Sequence, residues 1–132
     1  MTTVIDGTTG IDKVKDGSIV QSDLTPSLNQ LVAKAHCVFD GSLTGTNPPL
    51  VGNNVASVTR LGAGVYEINF TTPFADSSYS VSATSDAGTT GLIAVVYYSF
   101  CTGVKARVHT YTVGALSADS GRVSVVIFKV GA

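Results

Sequence analysis

From Ala35 to the end of the chain, the hydrophobic pattern keeps a period of two, broken repeatedly by turn residues. No other feature constrains the fold as tightly. A period of two puts alternate side chains on opposite faces of an extended strand, and a helix cannot use it. The clearest run is VYEINF. Tyr66, Ile68 and Phe70 share one face, and Val65, Glu67 and Asn69 share the other. The next alternating run, YSVSATS, puts Tyr79, Val81 and Ala83 together. Tyr66, Ile68, Phe70, Tyr79 and Val81 are therefore the expected core.

The same reading runs along the body. AHCVF is a short strand ending at the Asp40-Gly41 turn. SLTGTNPPLVGN, marked by Gly45, Asn47, Pro48, Pro49 and Gly52, reads as a loop. VASVTRL and VYEINF flank Gly62-Ala63-Gly64 as a hairpin. TTPFADSS is a connection and DAGTTG a turn. GLIAVVYYSF, VKARVHTYTV and GRVSVVIFKV follow as strands. About seven strands with no helix among them predict a mainly β body, an antiparallel β-sandwich of jelly-roll-like kind, over residues 35–132. IAVVYY and VSVVIF are apolar on both faces, which fits central strands or strands covered on the second face. In so small a chain, another subunit is one such cover.

Before Ala35 the pattern differs. Residues 1 to about 22 hold few large apolar side chains and two Asp-Gly turn pairs, Asp6-Gly7 and Asp16-Gly17. They cannot build a core of their own. In SDLTPSLNQLVAKA, Thr25 suits an N-cap and Pro26 the first helical position. Leu28, Leu31, Val32 and Ala35 follow helical spacing. The expectation is an N-terminal arm over 1–34 with one short helix at about 26–35. A helix of about ten residues is too short to stand alone in water, so its apolar stripe needs the body of its own chain or a neighbouring subunit.

Composition narrows the function. The 132 residues suit one domain, and hydrophobic residues are 44% of them, so the chain is not of disordered type. Charged residues are only 13%, about half the usual share, so the surface is built of small polar residues or buried between subunits. Eight basic and nine acidic residues leave a formal net charge of −1 and no basic run, so nucleic acid has no electrostatic footprint to follow. No apolar run approaches the roughly 20 residues of a membrane helix, and MTTVIDGTTG lacks the parts of a secretory signal. Cys37 and Cys101 fit no metal-ligand spacing. They read as reduced, buried thiols, with a disulfide between them left open.

The run VFDGSLTGT, with NVASVTRLGAGVYEINFTTPFADSSYSVSATSD after it, resembles a β module of tail-fibre and tail-associated proteins of tailed bacteriophages. The elements that carry the resemblance are Phe39-Asp40-Gly41, Asn54 to Thr59, Gly62 to Thr71 and Asp76 to Val81. DGSIVQSDLTPSLNQLV upstream resembles the linker that often precedes the module, and VVIFKV its closing strand. Recognisable motifs span residues 5 to 85. Two departures stand out. The family's first strand often carries a Trp, and here His36 and Cys37 occupy that region. The family module usually ends a longer protein, whereas this sequence starts at its own Met1.

The resemblance implies a non-enzymatic structural protein of the virion, made in the host bacterial cytoplasm and of tail-fibre or receptor-binding type. It implies a homotrimer that attaches to other virion proteins of tail or capsid and reaches a host-surface glycan. Loops 41–53, 72–78 and 114–121 would face outward. The alternative is a capsid decoration or head-fibre protein with its arm spread over the lattice.

Candidate chemistry is sparse. His36 and His109 are the only histidines, too few for a zinc site unless a trimer axis gathers three copies. Glu67 is the only glutamate and reads as a solvated strand position, with Asp40, Asp76, Asp86 and Asp119 in turns. Glycoside hydrolysis needs a carboxylate pair. No Gly-x-Ser-x-Gly elbow or dinucleotide loop is present. The reading therefore assigns no catalytic residue, no cofactor and no metal. Lys105, Arg107, His109 and Tyr111 alternate along VKARVHTYTV and share one face. They are the candidate binding residues, for an acidic glycan or an acidic protein patch, if the face is more than a solvated strand. Tyr97, Tyr98 and Phe100 would add an aromatic platform or pack in the core.

Overall fold

The computed structural model describes residues 32–86, 92–114 and 116–129. Nine strands are found there: β1 (Ala35–Phe39), β2 (Gly45–Asn47), β3 (Val51–Asn53), β4 (Val55–Gly62), β5 (Val65–Phe70), β6 (Ser80–Ser85), β7 (Leu92–Val96), β8 (Lys105–Thr112) and β9 (Val123–Phe128). They form two antiparallel sheets, one ordered β3-β1-β9-β6 and the other β2-β4-β5-β8-β7. The protein is an antiparallel β-sandwich.

Alternation builds the core. The inward residues of β1, β9 and β6 meet those of β4, β5 and β8. Cys37, Phe39, Val125 and Ile127 from one sheet pack with Val58, Ile68, Ala106 and Val108 from the other. Each fully buried aliphatic side chain contributes about 1.5–3 kcal/mol. The five residues expected in the core are all buried there: Tyr66, Ile68, Phe70, Tyr79 and Val81. Phe70, Phe74 and Tyr79 form an aromatic group at one end, with ring centroids 4.7–5.8 Å apart; Phe70 meets Phe74 and Tyr79 edge-on.

Two polar side chains near the core are tied down by several hydrogen bonds each. Tyr79 directs its hydroxyl at the carbonyls of Thr102 and Lys105, at 2.9 and 2.8 Å. Asp119 accepts from Arg60 Nε and Nη2 at 2.9 and 2.7 Å, from Gly64 N at 2.9 Å and from the Tyr66 hydroxyl at 3.2 Å. It therefore does more than form a turn, because it clamps loop 114–121 onto the β4–β5 hairpin. Gly64 turns that hairpin at φ +66°, and a Cβ there would collide with the carbonyl of Thr110. Cys37 and Cys101 are both buried free thiols.

Several elements depart from the periodicity. The stretch expected as a loop over 41–53 contains β2 and β3, three-residue strands too short to show alternation. They are recruited by pairing with β4 and β1. GLIAVVYYSF does not run as one strand. β7 stops at Val96 and a 3-10 turn takes Tyr98–Phe100. β9 is internal to its sheet, but β7 is an edge strand with Ile93 and Val95 exposed. Val32 and Lys34 are bends, so the helix expected over 26–35 does not reach β1. Its remaining positions, 26–31, lie outside the described residues, as do 87–91 of the DAGTTG turn. Among the described residues, no helix is long and apolar enough to cross a membrane.

Candidate functional site

β8 alternates half-buried and buried positions along Lys105–Thr112. Ala106, Val108 and Thr110 point inward, so Lys105, Arg107, His109 and Tyr111 line up on the outer face of the five-stranded sheet. All four lie together, as expected from their spacing. They are not freely solvated, because neighbouring strands cover them in part.

The register explains the cover. β5 sets Glu67 opposite Arg107, Asn69 opposite Lys105 and Val65 opposite His109. On the other side, β7 sets Val95 opposite His109 and Ile93 opposite Tyr111. Glu67 receives a hydrogen bond from Arg107 Nη2 at 3.0 Å and also pairs with Lys105. Its side chain is only 12% exposed. Glu67 is therefore a buried, doubly paired carboxylate and not the solvated residue expected. Burial alone would raise its pKa. The hydrogen bonds and positive charges of Lys105 and Arg107 outweigh that and hold it below the usual carboxylate range.

Aromatic rings fix the other end. The Arg107 guanidinium lies 4.2 Å from the centre of the Phe100 ring. Tyr97 stacks on His109 with centroids 3.9 Å apart. The hydroxyls of Tyr97 and Tyr111 are 2.7 Å apart, and Tyr111 also meets His109 Nδ1 at 3.0 Å. Burial first, and then the charge of Arg107, push the His109 pKa below its ordinary value. Both effects favour the neutral ring. Tyr98 and Phe100 are exposed by about half and Tyr97 is half-buried, so none of the three packs in the core.

Beyond Glu67 the polar surface continues across the sheet. Asn69 donates to Ser57 and Thr59 at 3.1 Å each, and the Thr59 and Thr46 hydroxyls are 2.9 Å apart. Beyond His109 it turns apolar, with Val95, Ile93 and Leu61 exposed. The whole is a flat, ordered, amphipathic surface whose side chains hold one another in place. Glu67 stays ionised with its oxygen engaged, and so is not poised to donate a proton. The hollow beside Phe39, Leu43 and Tyr66, between β1 and β4, holds about 20 Å³, room for a single water.

The remaining candidates are scattered. His36 is on the outer face of the other sheet, opposite Asn53 and Val126. No three His, Cys, Asp or Glu side chains gather around a metal position among the described residues. Asp40 caps Ser42 and Asp76 caps Ser78, as turn aspartates do. Asp76 also accepts from Lys129 at 2.6 Å. Periodicity missed Glu67, which read as solvated; Tyr97 and Phe100 were expected either as an aromatic platform or in the core, and they pack against His109 and Arg107. Their partners on β8 are separated from them by whole strands or a turn, and only the sheet order brings them together.

No protein-family model matches the chain, and no curated protein matches it. Among solved structures the chain is similar to the phiAB6 tailspike, described in complex with three-repeated oligosaccharides of Acinetobacter baumannii surface polysaccharide. Identity is 16% and the TM-score 0.49, over 70% of this chain. The chain spans 19% of the length of that tailspike.

Proposed function

We propose that this chain is a non-enzymatic structural protein of a bacteriophage virion, of the tail-fibre or receptor-binding kind, and that it works as a homotrimer. Residues 1–34 are its attachment arm and the sandwich is its recognition body. The outer face of β8 is the contact surface, and its ligand is an acidic glycan of the host surface. The observation that carries this reading is the prepacked face itself. Lys105 and Arg107 are fixed by Glu67, which leaves one net positive charge on a flat sheet. Phe100, half exposed and against the Arg107 guanidinium, offers a ring beside it for the apolar face of a sugar. A rigid surface of this kind binds without paying to order its side chains. The phage setting is supported by the motif run from Phe39 to Val81.

The test is binding of the labelled full chain to a panel of intact bacterial cells, to their purified surface polysaccharides and to undecorated capsids. The expected result is binding to cells and polysaccharide, weakened by Lys105→Ala and by added salt. No reducing ends should be released. Binding to capsids and to no cell would replace this reading with the capsid-decoration one.

A further inference from the structure

Among the described residues, three buried side-chain nitrogen or oxygen atoms have no hydrogen-bond partner: Ser85 Oγ, Arg107 Nε and His109 Nε2. Two of the three belong to neighbours on the outer face of β8. A buried polar atom left unpaired costs free energy, so two together on one face call for a reason.

The chemistry of the two atoms differs. Arg107 spends Nη2 on Glu67 and leaves Nε, which can only donate. His109 has its other nitrogen engaged, with Nδ1 3.0 Å from the Tyr111 hydroxyl. Its surroundings favour the neutral ring, which carries a single proton. A proton on Nε2 would set two unpaired donors side by side, His109 Nε2–H and Arg107 Nε–H. A proton on Nδ1 avoids this. It is donated to Tyr111, Tyr111 donates to Tyr97 across 2.7 Å, and Nε2 keeps a bare lone pair. The face then carries one bare donor and one bare acceptor, on residues about 7 Å apart along the strand.

An aromatic ring lies over each. Phe100 covers the Arg107 guanidinium at 4.2 Å, and Tyr97 stacks on His109 at 3.9 Å. Phe100 ends the 3-10 turn Tyr98–Phe100, which buries none of its residues, and Tyr97 is the residue before it. Phe100 is half exposed, and exposed side chains change rotamer within nanoseconds. The cover is therefore a surface one. A hydroxyl both donates and accepts, so neighbouring hydroxyls on a sugar ring suit a bare donor beside a bare acceptor. A carboxylate suits the donor alone.

We infer that Arg107 Nε and His109 Nε2 are the hydroxyl-reading pair of the β8 face. A saccharide seats adjacent hydroxyls there, one accepting from Arg107 and the other donating to His109, as the rings of Tyr97 and Phe100 move aside. The choice of a saccharide rests on the reading of β8 as a glycan-contact face. The polarity of the pair does not.

The test uses the full chain labelled with nitrogen-15. NMR of the His109 imidazole at mildly alkaline pH should show a protonated Nδ1 and a bare Nε2. The labelled chain is then titrated with the purified surface polysaccharides of the cell panel, and binding should shift the Arg107 Nε–H and His109 Nε2 signals. Arg107→Lys keeps the charge beside Glu67 without the Nε donor. His109→Phe keeps a ring under Tyr97 without the lone pair. Each should weaken binding about tenfold. A proton found on Nε2 would overturn the inference and leave the glycan reading standing. So would binding that shifts neither signal and survives both variants, the mark of a pair that serves ordered water only. A chain that binds no polysaccharide would fail the glycan reading and the inference with it, whichever nitrogen holds the proton.

Discussion

Replacing Glu67 with glutamine keeps the shape of the side chain and removes the charge that holds the β8 face together. Its carboxylate is paired with Arg107, 16% exposed, and with Lys105, 33% exposed. Removing one partner from a fully buried pair costs about 3–5 kcal/mol. A fully exposed pair is worth about 0.2–1 kcal/mol. The Glu67 group lies between these limits, and glutamine still accepts one hydrogen bond from Arg107. The expected cost is about 2 kcal/mol, or roughly a 30-fold loss in the ratio of folded to unfolded chains. The assay is urea unfolding followed by far-UV circular dichroism, because the chain has no Trp. The slope should stay unchanged and the midpoint should fall. The pH dependence gives a second handle. The folded pKa of Glu67 is depressed, so its contribution is present above the unfolded value of about 4.3 and is lost as pH falls through the folded value. The gap between wild type and Glu67→Gln should therefore be full at neutral pH and close as the solution is acidified below about pH 4. A gap under about 0.5 kcal/mol at neutral pH would refute the reasoning, since that is the scatter of ordinary surface changes. A gap that does not shrink on acidification would refute it too.

Three further outcomes follow. Asp119→Ala removes the acceptor shared by Arg60, Gly64 N and the Tyr66 hydroxyl, and should cost about 2 kcal/mol in the same unfolding assay. A change within the surface scatter would show that loop 114–121 is held by other contacts. The imidazole of His109, followed by NMR, should titrate below the ordinary value of about 6.5, and stability should decline as pH falls through that lower midpoint. A midpoint above 6.5 would mean that the Tyr97 stack and Arg107 do not set its environment. Burial pushes the Cys37 thiol up to about 12 and Cys101 is buried as well. Neither should react with a thiol reagent in the native protein, and both should react in urea. Fast native labelling would contradict the packing between the sheets.

The sequence carried the sandwich because its alternating runs are long. VYEINF and KARVHTYT each show which face is buried without reference to any partner, and so the core and the shared face of Lys105, Arg107, His109 and Tyr111 were legible. What could not be read was pairing. Glu67 is separated from Arg107 by 40 residues, and its burial depends on β5 lying beside β8. β2 and β3 are three residues each, too short for a period to be visible. IAVVYY, apolar on both faces, read as a central strand or one covered on its second face. β7 is an edge strand, and past its end Tyr97 stacks on His109 and Phe100 meets Arg107. Apolarity shows that a face wants cover. It does not show whether a strand, a turn or another molecule supplies it.

Assembly is the most direct test of the proposed role, and it is read from the native mass of the full chain in solution, by light scattering after size exclusion. The proposed homotrimer requires three times the 13.5 kDa chain mass. A shortened chain starting at Ala35, which lacks the arm, should give a smaller species. A full chain that runs as a 13.5 kDa monomer at all concentrations would contradict the free trimer.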